Sequence, residues 1–180
     1  LFLSAMIIVG MPYLVTEVLD LEAHEANRLF GYAQGALAAG GLTGGICAGV
    51  FAGKLSIKKT GNLLVACAAP VFPIGLSLLF FESGMVNYLV LTGCSFLVMV
   101  CSTVFSVQMM SFIQTETPQN LLGKVIAVIL TICMCAQPLG NAFYGVMFGA
   151  CKGFEYVVVL FAGVVTLGIV VCARKIFENL

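Results

Sequence analysis

LFGYAQGALAAGGLTGGICAGVFAGKL, the run from Leu29 to Leu55, is long enough to cross a bilayer and carries no charge before Lys54. Gly41, Gly45, Gly49 and Gly53 follow one another at four-residue steps, which return to nearly the same side of a helix. That face is stripped of side chains, so another backbone can come close. In lipid, apolar burial gives helices no drive to associate, and small-residue faces are where they dock; the step from Gly31 to Gly35 extends this one. Two readings are open: a general packing face, or an interface whose movement belongs to function.

Composition agrees with a helix in lipid. The 180 residues are 61% hydrophobic and 9% charged, with a mean hydropathy of +1.13, where a soluble domain carries about 25% charged residues. An all-α integral membrane protein is expected. Zero net charge excludes a basic nucleic-acid surface, and no polar run is long enough to build a soluble catalytic domain. The chain opens at Leu1 inside an apolar run, without initiator Met, basic leader or small-residue cleavage site, and is expected to be a piece of something longer rather than to begin with a signal peptide.

The eight cysteines stand singly at 47, 67, 94, 101, 133, 135, 151 and 172, without the paired spacing of a zinc or disulfide framework, and are read as small packing residues. His24 lies in an acidic connector and reads as a solvated residue. No metal site and no cofactor is expected. Enzyme signatures are missing too: the single histidine provides no Ser-His-Asp set, and GGLTGG lies inside a span without the lysine of a phosphate-cradling loop.

Apolar runs sufficient for the roughly 30 Å hydrocarbon core lie at about 1–19, 29–53, 62–81, 88–113, 125–150 and 156–173, giving six helices in one transmembrane domain. Alternation is absent and each run is about twice the length of a tilted transmembrane strand, so a barrel is excluded. Lys54, Lys58, Lys59, Lys124, Arg174 and Lys175 fall on one side of this arrangement and only Arg28 and Lys152 on the other. The first side, with the C-terminus, is therefore expected in the cytoplasm of a multi-pass protein of the cell (inner, cytoplasmic) membrane. Pro12 is expected to kink the first span near its middle, and Pro70 with Pro73 to bend the third. The fifth carries Gln137, Pro138, Gly140 and Asn141 near its centre, and bent helices around a polar midplane commonly line a cavity.

Polar groups inside the spans must find partners or line water. They are Gln34, Thr43, Ser102, Thr103, Ser106, Gln108, Thr131, Gln137 and Asn141. Gln137 and Asn141, four apart on one face, are either a substrate-contacting pair or helix-to-helix hydrogen bonds. Gln34, Tyr13 and Tyr144 join them as cavity candidates, with Phe143 and methionines as adaptable surface. Glu17, the only acid close to a membrane run, is either a solvated terminal charge or a proton- or cation-binding group.

AGVFAGKLSIKKTGN, residues 48–62, resembles the inter-helix signature of the major facilitator superfamily, in which a glycine-ended helix is followed by a small residue, a basic residue, a hydrophobic step and a basic pair. Where that signature usually carries an acid, this chain has Ser56. MMSFIQTETPQNLLGKVIAV, residues 109–128, is similar to a pattern of the bacterial drug-efflux branch, which includes macrolide and siderophore exporters; Pro118, Gly123 and Lys124 belong to it. The resemblance implies the C-terminal half, helices seven to twelve, of a twelve-helix bundle whose halves rock around a midplane site. It also implies a missing N-terminal half against which the glycine-rich helix and the fifth helix would lie. Gly53, Lys54, Lys58 and Lys59 would form a cytoplasmic latch. The implied activity is secondary active transport, namely proton-driven efflux of amphipathic drugs or metabolites. An importer on the same fold, or a stand-alone six-helix scaffold or channel subunit, is the alternative. The expected partners are the bilayer, a small-molecule substrate, the missing half and, with the glycine face exposed, a second copy of the chain, but no nucleic acid.

Overall fold

The computed structural model describes residues 2–15, 23–51, 57–80, 83–151 and 154–178. They are almost wholly helical and contain no strand: α1 Phe2–Tyr13, α2 Ala23–Phe51, α3 Ile57–Ala68, α4 Val71–Phe80, α5 Gly84–Glu116, α6 Gln119–Ala150 and α7 Glu155–Glu178. Among the described residues, three helical stretches are long and apolar enough to cross a membrane, Leu63–Phe80, Gly84–Glu116 and Gln119–Ala150, and Tyr156–Cys172 is a shorter apolar helix. The protein is therefore all-α with the length and composition of a membrane protein. In α2, the glycines, Gln34 and Thr43 dilute the hydropathy that its length would otherwise give.

Prolines set the breaks, and more sharply than a bend at one point. Pro70 has no amide hydrogen and disfavours helical backbone in the residue before it. Accordingly α3 closes with Ala69 N donating to the Val65 carbonyl (2.9 Å), residues 69–70 turn, and α4 begins at Val71. Pro73 then falls in the first turn of α4, where a missing donor leaves no bond unmade. The third span thus breaks direction at a two-residue turn, within the apolar stretch Leu63–Phe80. Pro12 lies within helical backbone that continues through residues 14–15 as a wider π turn, and the remainder of the expected first span, residues 16–19, lies outside the described residues.

Thr117, before Pro118, is extended (φ −93°, ψ 127°), which ends α5. The Pro118 carbonyl then accepts from Leu121 N at 2.9 Å and Leu122 N at 3.1 Å and opens α6. With no breaker before that point, α5 runs through Gln114, Thr115 and Glu116, beyond the apolar run. Likewise α2 begins at Ala23, so the connector around His24, Glu25 and Arg28 is already helical, with Glu25 in the first turn where the helix dipole favours an acid.

α2 lies along α5, α1 along α6, and α4 along α7, while α3 leans on both α5 and α7 and α4 also touches α5. The main core gathers Met6, Met11 and Leu14 from the first helical segment with Leu37, Val71, Ile74, Leu91, Val98, Tyr144, Phe148, Val158 and Val159. Sequence neighbours α5 and α6, joined by only Thr117 and Pro118, take different partners. α6 is held chiefly by α1, and a cleft is left between α6 and α5.

Candidate functional site

The α2–α5 contact decides which surface of α2 is spent on packing. Ala33, Leu37, Gly40, Gly44 and Ala48 recur on one buried face. A methyl group at Gly40 would stand 2.9 Å from the Phe96 carbonyl oxygen, and one at Gly44 would stand 2.8 Å from that of Val100 and 2.9 Å from Thr103 Cβ. Because neither glycine carries a side chain, α2 lies directly against the backbone of α5 and the side chains of Phe96, Met99 and Thr103, as van der Waals packing in lipid favours.

Gly41, Gly45 and Gly49, the expected docking stripe, are not this contact. Added methyl groups there, or at Gly31 and Gly35, would meet nothing within 4 Å. Adjacent glycines point about 100° apart on a helix, so the one-residue difference turns Gly45 and Gly49 away from α5. Gly31, Gly35, Leu42, Gly45 and Gly49 form an exposed face on the far side of the helix. Gly53 and Lys54 lie outside the described residues.

A second feature joins α1 and α6. Gly140 meets Ala5, whose Cβ would lie 2.9 Å from a methyl at that glycine. One to two turns further along α6, the Tyr13 and Phe148 rings stand 5.3 Å apart, and Tyr144 lies 6.5 Å from Phe148 and 5.6 Å from Phe143. Tyr144 is 0% exposed and so belongs to the core, whereas Tyr13 is half-buried. Gln137 Nε2 donates to Asn141 Oδ1 at 3.3 Å. One bond thus joins the two amides along a single helix, at half-buried positions, and Gln137 Oε1 and Asn141 Nδ2 take no part in it.

Two cavities open beside these groups. One, of about 330 Å³, lies among Ile7, Ile8, Gln34, Leu37 and Met99, where α1, α2 and α5 meet. Gln34 is exposed at its edge. The other, of about 480 Å³, fills the α5–α6 cleft and is lined from α5 by Ser102, Phe105, Ser106, Met109 and Met110 and from α6 by Ile129, Leu130 and Cys133. Cys133, Gln137 and Asn141 follow at four-residue steps along α6, so the second cavity continues the line of the amide pair.

This larger cavity was not legible as a site. Ser102 and Ser106 are visible as polar residues one turn apart in an apolar helix, and Met109 and Met110 continue that side, but nothing within α5 says that α6 stands off from it. Glu17 lies outside the described residues. Lys58 and Lys59 belong to the first turn of α3, Pro118 opens α6, and Gly123 and Lys124 are exposed on its second turn. Among the described residues, no three His, Cys, Asp or Glu side chains gather to hold a metal. The described cavities offer non-covalent binding by apolar walls, hydroxyls and amides.

Compared with protein-family models, with curated proteins and with solved structures, the chain matches none.

Proposed function

We propose that this chain is one six-helix half of a secondary active transporter in the cell membrane, exporting amphipathic compounds by alternating access against an inward proton flow. The observation that carries the reading is the unused face of α2. Among the described residues, nothing lies within 4 Å of a methyl group added at Gly31, Gly35, Gly45 or Gly49, while the opposite face already packs on α5. Two small-residue faces on one helix are suited to one partner within the chain and a second outside it. The major facilitator resemblance of residues 48–62 and 109–128 supports a homologous half as that second partner, with the C-terminus on the cytoplasmic side.

The pairing of α1 with α6 and α2 with α5 around open cavities supports rocking rather than a fixed pore, since rigid helix pairs can move as bodies about a midplane site. Gln34, Gln137 and Asn141 are the polar contacts at that site, and Glu17, the acid beside the first apolar run, is the candidate proton carrier.

Flux tests the proposal. The full-length protein in liposomes should move a lipophilic dye uphill when a proton gradient is imposed, reverse direction with the gradient, and stop when an ionophore collapses it. Fast downhill flux that ignores the gradient would replace the carrier with a channel.

A further inference from the structure

We propose that the α5–α6 cleft is a binding site for a neutral, largely apolar small molecule that carries one hydrogen-bonding group. The proposal deepens the transport reading and rests on it for its purpose, but the site can be measured by binding alone.

The volume, about 480 Å³, lies in the range of small-molecule pockets. Phe105, Met109, Met110 and Leu130 give it a wide apolar wall, and the thioethers can reshape around ligands of different outline. Among the described residues, no charged side chain lines it. An ion brought into such a wall would lose its hydration without gaining a counter-charge, so the cavity selects against cations and anions alike.

Its polar content is two serines. Some hydroxyls in these helices bond back to their own backbone, Thr103 to the Met99 carbonyl at 2.8 Å, Thr131 to Ala127 at 2.8 Å, Thr166 to Ala162 at 2.7 Å and Ser77 to Ile74 at 2.9 Å, while the hydroxyls of Thr92 and Ser95 in α5 are buried without such a bond and away from the cavity. Among the described residues, Ser102 and Ser106 make no such bond, and both line the cavity. Each can donate to or accept from an occupant. Two hydroxyls one turn apart provide a single small polar patch, which one polar group on a ligand satisfies.

Depth separates a free molecule from a lipid tail. α5 has 33 residues with Val100 at its midpoint, so Ser102 and Ser106 lie only about 3 and 9 Å along the axis from the centre. In a bilayer core roughly 30 Å thick, that is the level of methylene groups, and an acyl chain would leave both hydroxyls unpaired. The occupant the cleft fits is therefore a compact molecule with its polar group embedded in an apolar body.

The test uses the full-length protein in phosphatidylcholine nanodiscs and N-phenyl-1-naphthylamine, a neutral aromatic amine that fluoresces in apolar surroundings. We expect saturable binding above that of empty nanodiscs, roughly fivefold weaker after Ser102→Ala with Ser106→Ala, as the loss of one neutral hydrogen bond implies. Leu130→Trp, which fills the cleft from an exposed position, should abolish it while thermal unfolding stays unchanged. Tetraphenylphosphonium, a lipophilic cation, should not compete. Residue-resolved maleimide labelling should show the amine shielding Cys133. Absence of a saturable component, unchanged binding in both variants, displacement by the cation, or a phospholipid retained in the cleft by native mass spectrometry would each overturn the proposal. Because binding is read without a gradient, binding without flux would refute only the transport reading, and flux without binding here would refute only this site.

Discussion

Gly44 lies so close to Val100 that a methyl group on its α-carbon would stand 2.8 Å from the Val100 carbonyl oxygen, against backbone that has no rotamer by which to yield. Gly44→Ala should therefore push α2 off α5 and destabilise the protein by about 1–3 kcal/mol, the usual range for overpacking. Gly45→Ala, one residue on, meets nothing within 4 Å and replaces the poorer helix former, so it should be neutral or stabilising by up to about 1 kcal/mol. Unfolding in mixed micelles with increasing dodecyl sulfate compares the two. Equal losses would mean that Gly45 also packs within the chain.

The same neighbouring pair divides structure from function. Gly45→Leu should leave the helical signal and unfolding midpoint of the chain near wild type but stop gradient-driven flux, because its side chain would project where the transport reading places the second half. Liposome flux beside circular dichroism checks this. Full transport with leucine at this position would free that face from any moving contact.

How much of this could be read beforehand depends on what periodicity carries. The long apolar runs around Val100 and Val128 foretell α5 and α6, because that signal is local, but both helices extend past the expected spans 88–113 and 125–150 and meet at Thr117 and Pro118, since polar residues such as Gln114, Gln119 and Asn120 continue a helix that only the proline stops. The glycines of α2 announce close packing but not which face packs. Gly40 and Gly44 are as evenly spaced as Gly41 and Gly45, and the choice belongs to Phe96, Val100 and Thr103 on another helix. The α5–α6 cleft is illegible for the same reason, since its volume comes from α6 being held by α1. Gln137 and Asn141 were visible as a pair on one face, and their mutual hydrogen bond follows from that four-residue spacing.

Tyr88, near the start of α5, donates its hydroxyl to the Leu29 carbonyl on α2 at 2.9 Å and is buried. This bond fixes the α2–α5 pair at the end opposite Gly44. Tyr88→Phe keeps the ring and removes the donor alone, and the Leu29 oxygen lies within a helix whose own ladder provides an amide. The loss should be about 1 kcal/mol, at the level of one neutral hydrogen bond. Amide hydrogen exchange should rise in residues 29–33 and 84–88 more than elsewhere. An unchanged exchange pattern would show that the ring's burial, not its hydroxyl, makes the contact.

Phe148 is buried against both Tyr13 and Tyr144 and holds α6 on the first helix. In lipid the transfer of an apolar side chain from water drops out, so Phe148→Ala loses mainly packing. At about 24 cal/mol per Å³, a void of roughly 100 Å³ gives a loss of about 2 kcal/mol. Phe148→Leu fills much of that void and should recover about half. The pair of unfolding midpoints measures this; equal midpoints for alanine and wild type would mean that α1 and α6 are held elsewhere.

Gln137 and Asn141 face the last choice, between fastening and binding. Their bond, 3.3 Å long, lies within one helix, so removing it detaches no helix from another. Gln137→Leu should then change stability by less than about 1 kcal/mol, since an intrahelical side-chain pair contributes only about 0.2–0.5 kcal/mol and leucine is at home at a half-buried apolar position. If these amides meet the cargo, the same substitution should raise the KM of gradient-driven transport several-fold and leave the maximal rate little altered. Asn141→Ala should act in the same direction, and the double variant should be no worse than the more severe single one, because each amide orients the other. A fall in maximal rate with KM unchanged, or strictly additive effects of the two substitutions, would instead make them parts of the moving framework with no contact to the transported molecule.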